Sequence, residues 1–329
     1  MERSHLYKNL GIQLDMAVEA HDVLQQERQS NIAGVEMYKN KVGHSDITTV
    51  KITSPEGEEA MGKPMGNYVT IDAPHMKVNN RDIHQELSGL LAQELSKLLH
   101  LGPDDSVLVV GLGNWHATPD ALGPKVVNHT MVTRHLHKFA PEELQGGLRS
   151  VSAIAPGVLG LTGIETAEII KGVVEKINPT VIIAIDALAT RSVERMATSL
   201  QIADTGITPG SGVGNRRVGI NKETMGVPVI AIGVPTVVHA GVIAHEAIEM
   251  LLQQFHTSPS LYRLYKGLNP DSMQQIIEDV LEPFGRDLIM TPKEIDILIE
   301  NTSRIIATGL AQALHPSISS SSEGLQYLQ

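Results

Sequence analysis

Cysteine is absent from this chain of 329 residues, which removes disulfides, thiolate metal sites and a cysteine nucleophile together. Aromatics are nearly as scarce, at 3% against 42% apolar residues overall, so the core has to be built from Val, Ile, Leu, Ala and Met. No run of 18 apolar residues occurs, and no membrane span is expected. The opening Met-Glu-Arg-Ser-His-Leu-Tyr-Lys lacks the apolar stretch of a signal peptide, so the expected setting is soluble and cytoplasmic. Positive charge is also in short supply. A formal charge of −11, with no Lys/Arg stripe interleaved with aromatics, argues against a nucleic-acid partner. Ordinary solubility accounts for that charge.

What is present is an α/β rhythm. Residues 47–53 and 67–72 alternate like strands, and 83–99 place apolar side chains at helical spacing. Strand-like runs at 106–111, 180–185 and 227–233 are separated by helical patterns at 162–177 and about 189–201. Further helices are expected at 236–254, 271–282 and 293–313. Strand, helix and strand in succession predict right-handed crossovers and a mostly parallel sheet covered by helices on both faces. No linker divides the chain, and the Ser-rich stretch from Ser317 reads as a flexible tail.

Several motifs fall short of the chemistry they suggest. Gly111-Leu-Gly113 follows a strand, but His116 stands where a dinucleotide loop needs its third glycine. His245-Glu246 begins a zincin-like helix, but Glu249 replaces the second histidine. Ser211 has no strand feeding it, unlike a hydrolase nucleophile. Asp204-Thr205-Gly206 is the triplet of all-β aspartic proteases, but here it opens a Gly- and Pro-rich loop, where Asp204 suits a turn.

Asp120 and Asp186 carry more weight. Ser106 to Gly111 and Thr180 to Ile185 are continuous apolar runs of the kind buried in parallel sheets, and both aspartates follow such runs. Functional groups in these sheets collect at the carboxyl ends of the strands. Either aspartate could simply cap a following helix. At one sheet edge, however, two carboxylates can share a proton and activate a water.

Gly111-Leu-Gly113-Asn114, followed by Asp120 and Gly123, resembles the signature of hydrogenase-maturation proteases. The longer strings Val109–Pro124, Ala184–Ala189 and Asp204–Asn215 resemble the spore germination proteases, over about residues 11 to 315. That resemblance implies a homotetrameric endopeptidase of the spore core, made as a zymogen, that degrades small acid-soluble spore proteins without a cofactor. Its proposed catalytic aspartates match Asp120 and Asp186. Asn114 and His116 become candidates for orienting the substrate, and Arg191 and Arg216, with its neighbour Arg217, for holding acidic residues beside the scissile bond.

Leu14-Asp15-Met16-Ala17 resembles the family's processing sequence, with Ile12 departing from the acidic residue usual at that place. Cleavage between Asp15 and Met16 would make residues 1–15 a propeptide, 16–315 the catalytic domain and 316–329 a tail. Two other functions stay open. One is a metal-dependent maturation peptidase or amidohydrolase using Asp120, Asp186 and a histidine such as His239; the other is a catalytically silent binding protein.

Overall fold

The computed structural model describes residues 14–28, 31–139, 147–210, 217–256, 270–284 and 288–319. Its centre is one mixed sheet. The strands are β1 (Val35–Val42), β2 (Ser45–Ile52), β3 (Gly66–Asp72), β4 (Ser106–Gly111), β5 (Ser150–Ile154), β6 (Val181–Thr190), β7 (Ser199–Ala203), β8 (Val229–His239) and β9 (Ile289–Met290). They run in the order β1-β2-β3-β7-β8-β6-β4-β5, with β9 beside β8. One half, β8-β6-β4-β5, is parallel, and the other, from β7 out to β1, is antiparallel.

The helices of eight residues or more are α1 (Ala17–Arg28), α2 (Arg81–Leu98), α3 (Leu122–His129), α4 (Thr166–Ile177), α5 (Ala240–His256), α6 (Pro270–Leu281) and α7 (Ile295–Leu314). Asn80 starts α2 by accepting from the amides of Asp82 and Ile83, and the buried stripe Leu87, Leu90, Leu91 and Leu95 turns that helix inward. Helices α2, α3 and α7 cover one face of the sheet, where Val107, Val109, Ile183 and Ile185 point. The alternate residues Leu108, Val110, Ile182 and Ala184 face α4, and α1 covers the same side of the antiparallel half against Val50, Tyr68 and Ala203. This two-sided burial explains why the parallel strands read as unbroken apolar runs.

One expected element differs. The helix predicted over 189–201 is instead the end of β6, a bend, and all but the last residues of β7. Ala187-Leu-Ala carries helix-forming residues, but four aligned pairs with β8 hold Ala187–Thr190 extended. Asp186 therefore does not end its strand or cap a helix. It lies within β6, just past the point where β4 stops, with Gly111 opposite Ile185. In the expected tail, Pro316–Ser319 forms a helical turn that buries Ile318, and residues 320–329 lie outside the described residues.

Candidate active site

The Gly-x-Gly sequence after β4 makes a backbone crossing, with no sign of a nucleotide cradle. Gly113 has φ +109°, and a Cβ there would stand 2.1 Å from the Asp120 carbonyl oxygen. Gly111 and Gly123 press together as closely, each leaving no room for a methyl group against the other's segment. The contact brings a short turn, Thr118–Asp120, back over the end of β4. The Asn114 amide then donates to both the Asp120 carbonyl, at 3.1 Å, and its carboxylate Oδ2, at 2.8 Å.

Asp186 reaches the same place from β6 and is only 6% exposed. Its Oδ1 accepts from the Ala187 amide at 2.9 Å. Asp120 and Asp186 line one cavity of about 360 Å³, whose wall also includes Asp15, Glu165, Arg217 and Thr236. Burial raises the Asp120 carboxyl to about 6, with the Asn114 amide pulling the other way. Asp186 is pushed well above the carboxylate range, first by burial, then by the neighbouring charges of Asp120 and Asp15. Of the two, Asp120 is the more acidic and Asp186 the one that holds a proton more readily.

Asp15 is the residue that sequence reasoning placed at a cleavage site but not among the catalytic groups. Its Oδ2 accepts from the Ala189 amide at 2.9 Å, so the chain's own N-terminal segment lies along β6 beside Asp186. Next to it, Met16 and Ala17 are fully buried. Residues 1–13 lie outside the described residues.

The supporting candidates are spread more widely. Asn114 positions Asp120 and does not line the cavity, and its Oδ1 accepts from the His116 amide while the His116 side chain is exposed. The Arg191 amide donates to buried Glu19 on α1, and Arg191 also lies off the cavity wall. Arg216 and Ser211 lie outside the described residues, whereas Arg217 is on the wall. Asp204 binds the Asn67 amide at 2.8 Å and its side-chain nitrogen at 2.6 Å, joining β7 to β3 away from the cavity. His239 accepts from the Gly241 amide at the end of β8. Among the described residues, no group of three or more His, Asp or Glu is arranged to hold a metal ion, and no helix is long and apolar enough to cross a membrane.

Thr236 had no signal in the sequence. Leu188 pairs with Pro235 and Ala189 with Val237, so Thr236 is the extra residue of a bulge in β8. Its hydroxyl is buried at the cavity wall without a hydrogen-bond partner among the described residues.

Comparison with known proteins identifies the family. A germination protease in Caldanaerobacter subterraneus subsp. tengcongensis is 50% identical, over 94% of this chain and 96% of its own. Those of Clostridium perfringens (strain ATCC 13124) and Bacillus subtilis (strain 168) are 47% and 41% identical, covering 93% and 95% of this chain and 96% of each relative. A solved [NiFe] hydrogenase maturation protease, HycI from Thermococcus kodakarensis, is 19% identical over 44% of this chain and 80% of its own, with a TM-score of 0.29. The family model described as germination protease matches residues 13–262 and 260–327, and the chain belongs to that family of peptidases.

Proposed function

We propose that this protease cuts peptide bonds with a water activated between Asp120 and Asp186, and that its own Asp15–Met16 bond is the first it cuts. The observation that carries this reading is the single cavity shared by Asp120, Asp186 and Asp15. Asp120, ionised, takes a proton from the water as its oxygen adds to the scissile carbonyl carbon. Asp186, protonated, polarises the carbonyl and delivers its proton to the leaving nitrogen as the C–N bond breaks. The proton taken by Asp120 then returns to Asp186 and resets the pair.

On this reading residues 1–15 are a propeptide whose Asp15 end occupies the cleft, so the uncut chain is a zymogen. Residues 16–315 are the catalytic domain and 316–329 a tail. Family membership supports small acid-soluble spore proteins as substrates, a homotetramer as the assembly and the spore core as its location. Arg217 on the cavity wall is a cation that can attract acidic residues of such substrates.

The test is intact mass after incubation of purified protein at mildly acidic pH. The wild type should lose residues 1–15, and Asp120→Asn and Asp186→Asn should not. Equal processing in either variant, or full activity of the uncut wild type on peptides, would remove the reading.

A further inference from the structure

We infer that Lys63 and Gln201 form the site that stabilises the oxyanion when the Asp15–Met16 bond is cut, with Gln201 also setting the register of the chain in the cleft. The inference rests on the proposed scissile bond and adds the groups that act on its carbonyl oxygen.

Two side chains hold the carbonyl oxygen of that bond. Lys63 Nζ donates to the Asp15 carbonyl oxygen at 2.8 Å. Gln201 Nε2 donates to the same oxygen at 3.2 Å. The other end of the Gln201 amide, Oε1, accepts from the Ala17 amide at 2.6 Å. One side chain therefore grips the backbone on both sides of Met16, as a neighbouring strand would, and the carbonyl oxygen has both lone pairs engaged. Asp15 is held independently through its carboxylate on the Ala189 amide.

The sheet explains how these groups face the aspartates. Asp186 of β6 is aligned with Gly233 of β8, and Gly233 with Gln201 of β7. Aligned residues on adjacent strands point to one face, so Asp186 and Gln201 stand on the same side, two strand spacings or roughly 10 Å apart. The residue between them has no side chain. Leu188 packs over part of that gap, and the 14–16 segment crosses beside it. Asp15, Leu188 and Thr208 line both the cavity of the aspartates and a second one, of about 610 Å³, that contains Lys63 and Gln201. The two cavities flank the segment, one holding the acid–base pair and the other the carbonyl donors.

Lys63 suits this task. Burial lowers the pKa of its ammonium, and the Asp15 and Glu19 carboxylates oppose that shift without cancelling it. Water adds to the carbonyl carbon as Asp120 takes its proton, and the carbonyl oxygen becomes an alkoxide between Lys63 and Gln201. The C–N bond then breaks as Asp186 gives its proton to the Met16 nitrogen. Asp186 is thereby relieved of the carbonyl and serves the leaving group alone. A cation fixed beforehand where negative charge develops gains more than one that must reorganise.

The experiment measures the self-cleavage rate of the full-length chain by intact mass across pH. It is paired with amide exchange at Ala17 in chains also carrying Asp120→Asn, which stay uncut. Lys63→Met and Gln201→Leu should each slow cleavage roughly 100-fold. Lys63→Arg should recover part of the rate, because it keeps a cation. Lys63→Met should leave both the acid limb of the pH profile and the protection of the Ala17 amide as in the wild type. If Lys63→Met does not fold, as judged by thermal melting, the Gln201→Leu and Lys63→Arg rates decide the matter. Cleavage within threefold of wild type in Lys63→Met, or in Gln201→Leu, overturns the inference. So does a slow Lys63→Met whose Ala17 amide has lost protection, which would make Lys63 a tether. A wild-type chain that never breaks between Asp15 and Met16 overturns the scissile-bond reading itself, and this inference with it.

Discussion

The two halves of the sheet differ in what they contribute and in how visibly the sequence announces it. The parallel half, β8-β6-β4-β5, brings Asp120 and Asp186 to one cavity through rigid strands buried on both faces. The antiparallel half, β7-β3-β2-β1, brings Gln201 on β7 and Lys63 just before β3, and carries α1 and the N-terminal segment on one face. On the proposed reading, chemistry resides where the backbone is most constrained, and the chain to be cut is held where side chains meet the N-terminal segment.

Breaking the first half should have the largest effect. Asp186→Asn or Asp120→Asn keeps the shape but can neither share the proton nor act as base, and peptide turnover should fall at least about 1,000-fold. Gly113→Ala should follow. Its Cβ would meet the Asp120 carbonyl oxygen at 2.1 Å on a backbone already at φ +109°. The displaced loop should cost turnover on the order of 100-fold while the melting temperature moves only a few degrees. A Gly113→Ala enzyme with normal turnover would show that the loop does not set the position of Asp120.

The aspartates should also leave a mark on stability, with a definite sign. The folded-state Asp120 carboxyl, at about 6, lies above its ordinary 3.8, so folding disfavours its charge. The stability this group contributes is full below about pH 4 and is lost as pH rises through 6. Asp120→Asn has no such loss, so it should melt a few degrees above wild type at pH 8 and level with it at pH 4. A variant less stable than wild type at pH 8 would mean that Asp120 is not strained by burial. The same value sets the acid limb of activity, which should fall about tenfold per pH unit below 6.

The second half can be loosened without touching the chemistry. Arg195 lies within 3.8 Å of Glu19, 3.7 Å of Asp22 and 3.5 Å of Asp72, fastening α1 to β3. Glu19 is fully buried and also accepts from the Thr190 hydroxyl and the Arg191 amide. Arg195→Leu should lower stability by roughly 1–3 kcal/mol, because the buried Glu19 loses the cation that faces it. Turnover by the processed enzyme should stay within a few fold. A large loss of turnover with unchanged melting would erase the division between the halves.

That division also explains what the sequence made legible. Val107–Val110 and Ile182–Ile185 could be read as buried strands because both faces demand apolar residues, and the aspartates beyond them are conspicuous for breaking that rule. Gly111, Gly113 and Gly123 could be seen as a pattern, although their purpose, the backbone contact that sets Asp120, needed coordinates. Ala189 and Thr190 were misread as the start of a helix because their strand pairing with β8 is a long-range contact that local composition does not encode. Lys63 and Gln201 gave no signal. Each is one polar residue among many, and their meaning comes from a chain segment placed 48 and 186 residues away in sequence. Arg191 was proposed from its nearness to Asp186 in sequence, yet its amide faces Glu19.

The smallest expected effect sharpens the comparison at the seam between the halves. Thr236 sits in the β8 bulge with a buried hydroxyl on the cavity wall and no hydrogen-bond partner among the described residues. Leaving such a group unmatched costs about 1–3 kcal/mol, so a native hydroxyl there implies a partner that arrives with the substrate or the attacking water. Thr236→Val keeps the β-branched shape that suits the strand and removes only the hydroxyl. The variant should therefore melt at or slightly above the wild-type temperature while its turnover falls about two- to tenfold, with the acid limb of the pH profile unmoved. Reduced stability with unchanged turnover would show that the hydroxyl serves the fold and not the reaction. The bulge would then matter only for turning β8 toward α5.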